Sequence, residues 1–110
     1  MQLKPEFTSG EQSPAKSQQN PAVQKFPLGK VVATSNAAAL LKPADIQTAL
    51  CRHQLGDWGN LDSEDRQANE DALKNEGRLL SVYNAVNGTK FYVITEWDRL
   101  LTTVLLPTDY

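Results

Sequence analysis

The chain holds one histidine, His53, and imidazole is the side chain whose proton comes and goes near neutral pH. Arg78, Ser81, Tyr83, Arg99 and Thr102 add cations, hydroxyls and a phenol. Those residue types meet the needs of phosphodiester cleavage: a base for a 2′-hydroxyl, a cation for the phosphorane and an acid for the leaving oxygen. His53, Arg99, Ser81, Tyr83 and Thr102 are therefore the catalytic candidates. The structural alternative is a helix-end histidine satisfied inside the core, with Arg99 pairing Glu96 or Asp98 to hold a turn. Thr102 and Thr103 point to opposite faces of a strand, so at most one of them joins a site.

A second group of residues suits binding. Asp57 and Trp58 sit between Gly56 and Gly59. That loop is either a corner presenting a carboxylate and an indole, or a turn in which Asp57 caps amides and Trp58 plugs the core edge. Residues 57–76 carry seven acids against two bases, more than helix capping requires. Asp65, Asn69, Glu96 and Asp98 join Asp57 and Trp58 as binding candidates. An acidic helix suits either a solvated face or docking onto a basic protein surface. Cys51 and His53 give two soft ligands where a structural zinc site wants four, so no metal is expected. No P-loop, Gly-x-Gly-x-x-Gly or Gly-x-Ser-x-Gly element is present, and no cofactor is expected.

The elements that must position these residues follow from local pattern. Residues 1–27 hold four of the six prolines and five glutamines, with apolar residues in no period. They read as a disordered N-terminal tail before a single domain over 28–110. Lys30–Thr34 is a β-branched run and a candidate edge strand. Ser35 can cap an alanine-rich helix that Pro43 ends near Leu41. A second helix is predicted from about 43 to 55, with Ile46, Leu50 and His53 on one face and Gly56 as its stop. A third starts at Asp62 or Ser63 and ends at Gly77. Arg78–Val86 and Thr89–Trp97 alternate about Asn87-Gly88, a strong hairpin signal. A two-residue turn there sets Val82 opposite Val93, Tyr83 opposite Tyr92 and Ser81 opposite Ile94. Leu101–Leu106 is a third strand closed by Pro107. The expected fold class is α+β: two to three N-terminal helices packed on a small antiparallel three- to four-stranded sheet with a C-terminal meander.

The totals narrow the classes. The chain has 110 residues, 40% of them hydrophobic and 22% charged, with a formal net charge of −2. That balance lacks the basic surplus of a bulk nucleic-acid binder. No apolar run approaches a membrane span, and the N-terminus lacks the apolar core of a signal peptide. One cysteine allows no intrachain disulfide, which favours a reducing cytoplasm.

Several segments have a more specific look. They are Leu28-Gly29 with Val31–Thr34, Arg52-His53 before Gly56-Asp57-Trp58-Gly59, and Asp65 with Asn69. Gly77-Arg78 with Ser81 and Tyr83, Ile94-Thr95-Glu96, Asp98-Arg99, Thr102–Pro107 and Tyr110 complete the set. In these, 28–110 resembles a family of small uncharacterised proteins from bacterial plasmids and other mobile elements, sometimes labelled as type I restriction-associated. Trp97 and Leu100 are larger and more apolar than the small residues that pattern leads one to expect. The resemblance implies an accessory protein of a mobile element and carries no activity with it. The primary expectation is a non-enzymatic protein-interaction module, monomeric or weakly dimeric, whose contact surface is the acidic helix or the aromatics Trp58, Trp97 and Tyr110. The alternative is a small metal-independent ribonuclease of the barnase–RelE type, whose helices-then-sheet order is similar.

Overall fold

The computed structural model describes residues 23–110. Lys30–Ala33 form strand β1, and Thr34, not Ser35, caps the helix after it: its Oγ1 accepts from the Ala37 N–H at 3.1 Å. Helix α1, Ser35–Leu40, stops because Leu41 turns extended ahead of Pro43. Helix α2, Pro43–Gln54, starts on that proline, with Asp45 in its first turn and Arg52 and His53 in its last, the charge order its dipole favours. Helix α3, Ser63–Asn75, is capped by Asp62, which accepts from the Asp65 N–H at 2.8 Å. Its left-handed terminal residue is Glu76, one position before the expected Gly77. Strands β2 (Leu79–Asn84), β3 (Lys90–Thr95) and β4 (Leu101–Leu105) follow, then a 3-10 turn over Pro107–Asp109.

The class is α+β: three helices with a four-stranded sheet ordered β1-β4-β3-β2. The C-terminal meander is antiparallel, and β1 joins it in parallel beside β4, with Val31 opposite Thr102 and Ala33 opposite Val104. The sheet is therefore mixed.

The hairpin pairs one residue off the expected register. Ser81 lies opposite Val93 and Tyr83 opposite Phe91. The loop has three residues, Val86-Asn87-Gly88, closed by Ala85 N–H to the Thr89 carbonyl at 2.8 Å. Only Gly88 takes a positive φ, 89°. Asn87 keeps a negative φ and accepts from the Thr89 N–H through its side chain at 2.9 Å. A turn followed by a left-handed glycine replaces the two-residue turn. Because side chains alternate, the shift exchanges which residues meet across the strands. Thr95, in place of Ile94, now shares a face with Ser81.

That face carries Leu79, Ser81, Tyr83, Phe91, Val93, Thr95, Thr102 and Val104, all buried. Ala37, Leu41, Ala49 and Leu50 of the α1–α2 layer pack on it as one apolar cluster. A second cluster gathers Phe26, Trp58 and Leu79, with Leu61, Ala72 and Leu73 against it. Residues 1–22 of the expected tail lie outside the described residues. Phe26, also counted in that tail, is a core residue, so the packed chain begins before Leu28.

The outer edge of β2 is closed. The Val82 N–H donates to the Trp58 carbonyl at 3.1 Å, and the Val82 carbonyl accepts from the Asn60 N–H at 2.8 Å. Asn69 of α3 serves Leu80 on both sides, Nδ2 to its carbonyl at 2.7 Å and Oδ1 from its N–H at 3.1 Å. Gly59 makes this closure possible. Its φ is +77°, and a Cβ there would strike the Val82 carbonyl oxygen. Gly59→Ala is expected to destabilise the fold by at least about 2 kcal/mol in urea unfolding. The adjacent Gly56→Ala, whose Cβ would meet only the flexible Lys25 side chain, should lose less.

Candidate functional site

Three of the five catalytic candidates, His53, Ser81 and Thr102, do meet, but inside the core, while Tyr83 and Arg99 bond to backbone carbonyls. His53 is 0% exposed. Its Nδ1 lies 2.6 Å from Ser81 Oγ and its Nε2 2.9 Å from Thr95 Oγ1. Thr95 Oγ1 lies 2.7 Å from Thr102 Oγ1, which donates to the Leu28 carbonyl at 2.7 Å. That carbonyl only accepts, and this fixes every donor upstream. Thr102 gives its proton to Leu28, so it accepts from Thr95. Thr95 then accepts from His53 Nε2–H, and Ser81 donates to Nδ1. The imidazole is held as the Nε2–H tautomer by its partners alone.

Phe26 and Trp58 close over the ring edge-on, at centroid distances of 5.1 and 5.7 Å. Burial, with the Arg99 cation second, pushes the His53 pKa down to about 3. The imidazole is therefore neutral at physiological pH, both nitrogens occupied, with no open face for a substrate. Tyr83 is buried as well: burial first pushes its pKa up to about 12, and its hydroxyl donates to the Asp57 carbonyl at 2.5 Å. Thr102→Val should cost about 2 kcal/mol, since Leu28 loses a donor and Thr95 an acceptor in a dry interior. Thr103→Val, on the opposite face, should be close to neutral in the same chemical-denaturation assay.

Arg99 bonds to backbone carbonyls and not to the histidine. Its Nη1 donates to the carbonyls of Gly77 at 2.6 Å, Glu96 at 3.0 Å and Trp97 at 3.3 Å, and its Nη2 to Ala72 at 3.1 Å. The guanidinium thus ties the C-terminal turn of α3 to the β3–β4 turn, and it lies 5.7 Å over the Phe26 ring. The expected pairing of Arg99 with Glu96 or Asp98 is replaced by these carbonyls; Glu96 instead pairs Arg78 at 3.3 Å. Asp98 holds the turn by accepting from the Leu100 N–H at 3.1 Å.

Asp57 forms a two-pronged pair with Arg52, at 2.7 and 3.2 Å, and accepts from the Gly59 N–H at 3.3 Å. The Arg52 hydrogen bond, above all, holds its carboxyl below the usual range. Arg52 also lies 4.6 Å over the Tyr83 ring. Trp58 is 2% exposed, and its Nε1 donates to Glu70 at 2.9 Å. Trp58 therefore does not join Trp97 and Tyr110 in an exposed aromatic patch.

The remaining binding candidates lead to the outer sheet face. Asp65, Asn69 and Glu96 border a run of hollows floored by Leu80, Val82, Tyr92, Ile94 and Leu105, with volumes of about 430, 400 and 250 Å³. Asp62, the cap of α3, and Asp65 in its first turn line one of the hollows. Tyr110, expected from the sequence as part of an aromatic contact surface with Trp58 and Trp97, instead lines these hollows with its ring edge-on to Tyr92 at 5.9 Å. Lys90 and the paired Arg78 are the basic residues lining the hollows. The signal for this face was the period-2 pattern Leu80-Val82 and Tyr92-Ile94, which marks a second apolar side of the hairpin.

Among the described residues, no three of His, Cys, Asp and Glu gather as a metal site. Cys51 is exposed. No helix among them is long and apolar enough to cross a membrane. Comparison with family models, curated proteins and solved structures finds no match to this chain.

Proposed function

We propose that the protein is a non-enzymatic interaction module, a cytoplasmic accessory protein of a bacterial mobile element, that docks a basic segment of a host or element-encoded protein on its outer sheet face. The carrying observation is the groove between α3 and Tyr110: an apolar floor of Leu80, Tyr92 and Ile94 beside the carboxylates of Asp62 and Asp65. An apolar floor beside these two carboxylates, with Lys90 and the Glu96-paired Arg78 as the bases on the same rim, suits a partner segment that alternates aliphatic and basic residues, the floor giving affinity and the carboxylates steering and register. The mobile-element part of the reading rests on the resemblance of 28–110. The ribonuclease alternative has little support in the geometry. Its base is buried and its cation is bonded to four backbone carbonyls.

The test is an NMR titration of the full chain with two probe peptides of equal length, one alternating lysine and leucine, the other glutamate and leucine. The lysine peptide should saturably shift Leu80, Tyr92, Ile94 and Tyr110, and Asp62→Asn with Asp65→Asn should weaken it about tenfold or more; asparagine keeps the helix cap. No shift on that face, or equal shifts from both peptides, overturns the reading. RNA cleavage that His53→Gln abolishes would install the ribonuclease instead.

A further inference from the structure

A second surface lies around the β3–β4 turn. Trp97 is 62% exposed and Leu100, three residues on, 69%. Large apolar side chains in a tight turn are unfavourable in water unless something covers them. The turn itself is rigid. The Arg99 N–H donates to the Glu96 carbonyl at 3.0 Å, and the Glu96 N–H to the Leu101 carbonyl at 3.0 Å. The Arg99 guanidinium then anchors the loop to the end of α3 through Ala72 and Gly77. Arg99 holds a left-handed φ of 62° to do this. An indole on a fixed platform loses little entropy on docking, and tryptophan is a residue type that dominates interface energy.

Beside the indole lies a hollow of about 420 Å³. Phe26, Pro27 and Leu73 give it an apolar lining, and Trp97 itself forms one wall. The charged residues around it are Lys25, Glu76, Asp98 and Arg99, the last with its guanidinium already bonded to backbone carbonyls. Knob and hole are therefore neighbours on one patch, and the rim carries both charge signs. Those are the two requirements of an isologous contact, in which each copy gives what it receives. A twofold axis beside Trp97 would bring each indole to the other copy's hollow and allow each Lys25 to face the other copy's Glu76 or Asp98.

We infer that a second copy of this chain docks on the Trp97 turn, forming a twofold dimer by reciprocal insertion of Trp97. The surface is separate from the outer sheet face, so a dimer leaves that groove available to another partner.

Sedimentation velocity of the full chain, from micromolar to millimolar concentration, tests this. A concentration-dependent dimer is expected. Trp97→Ala should weaken it at least about thirtyfold, with an unchanged circular dichroism spectrum because the side chain is exposed. Lys25→Glu should weaken it as well, and adding Glu76→Lys to that variant should restore it. A monomer throughout the range, or a dimer that Trp97→Ala leaves intact, overturns the inference.

Discussion

Acidification from pH 7 to pH 5 should cost the protein about 2 kcal/mol of stability, nearly all of it through His53. The sign follows from where the proton binds. Burial lowers the folded-state pKa from 6.5 to about 3, so the unfolded chain takes up a proton that the native one refuses. A depressed pKa means stability that is full above 6.5 and lost as pH falls towards 3. The lower half of that window overlaps with carboxylates: Asp57 and Asp109 are both held below their ordinary value of 3.8 by hydrogen bonds. Between pH 5 and 6.5 those carboxylates are ionised in both states, and the only histidine is left to titrate. Equilibrium urea unfolding over this interval should give a midpoint that falls steadily with pH at constant slope. His53→Gln should be less stable at pH 7 yet flat across the same interval. A wild-type midpoint independent of pH there would mean that His53 is solvated, and would reopen its use as a base.

Arg99→Ala should be the most damaging substitution of a half-exposed residue, costing about 3 kcal/mol or more. Charged donors to backbone carbonyls are worth roughly 1.5–3 kcal/mol each, and four carbonyls lose theirs together. Removal also separates the end of α3 from the β3–β4 turn. Arg99→Lys should recover less than half of the loss, because one ammonium cannot span the carbonyls of Ala72 and Gly77 as a planar fork does. Arg99→Gly should fall between, losing the guanidinium but relieving the left-handed backbone. Thermal melts of the three variants give the order directly. A stable Arg99→Ala protein would assign the guanidinium to a ligand and not to the fold.

Much of this fold was legible locally. The three helices, their caps and the three C-terminal strands lie within a residue or two of what the prolines, glycines and apolar spacing require. The hairpin register was not, because Asn-Gly supports two loop lengths and only the choice of φ at Asn87 separates them. The partner of β1 was not legible either: a parallel contact with β4 across some 70 residues leaves no local mark. His53, Ser81, Thr102 and Tyr83 were recognised as a set, and the chain brings the first three together. What the pattern could not convey is the lid. Phe26 comes from a glutamine- and proline-rich stretch that reads as unpacked, and with Trp58 it converts a constellation of reactive types into a sealed one. Arg99 misled for a related reason. Sequence lists acids near it, but carbonyl clusters belong to tertiary structure.

The closed edge of β2 has a consequence for association. Among the described residues the outer side of β1 is the unpaired edge of the sheet; pairing strand to strand through it uses that edge in each copy, and the cover of Trp58, Asn60 and Asn69 over β2 leaves no second one to offer. Edge-to-edge growth therefore terminates after two molecules: the sheet is capped against fibre formation, and a variant that loosens the Trp58–Asn60 segment should be the one that polymerises.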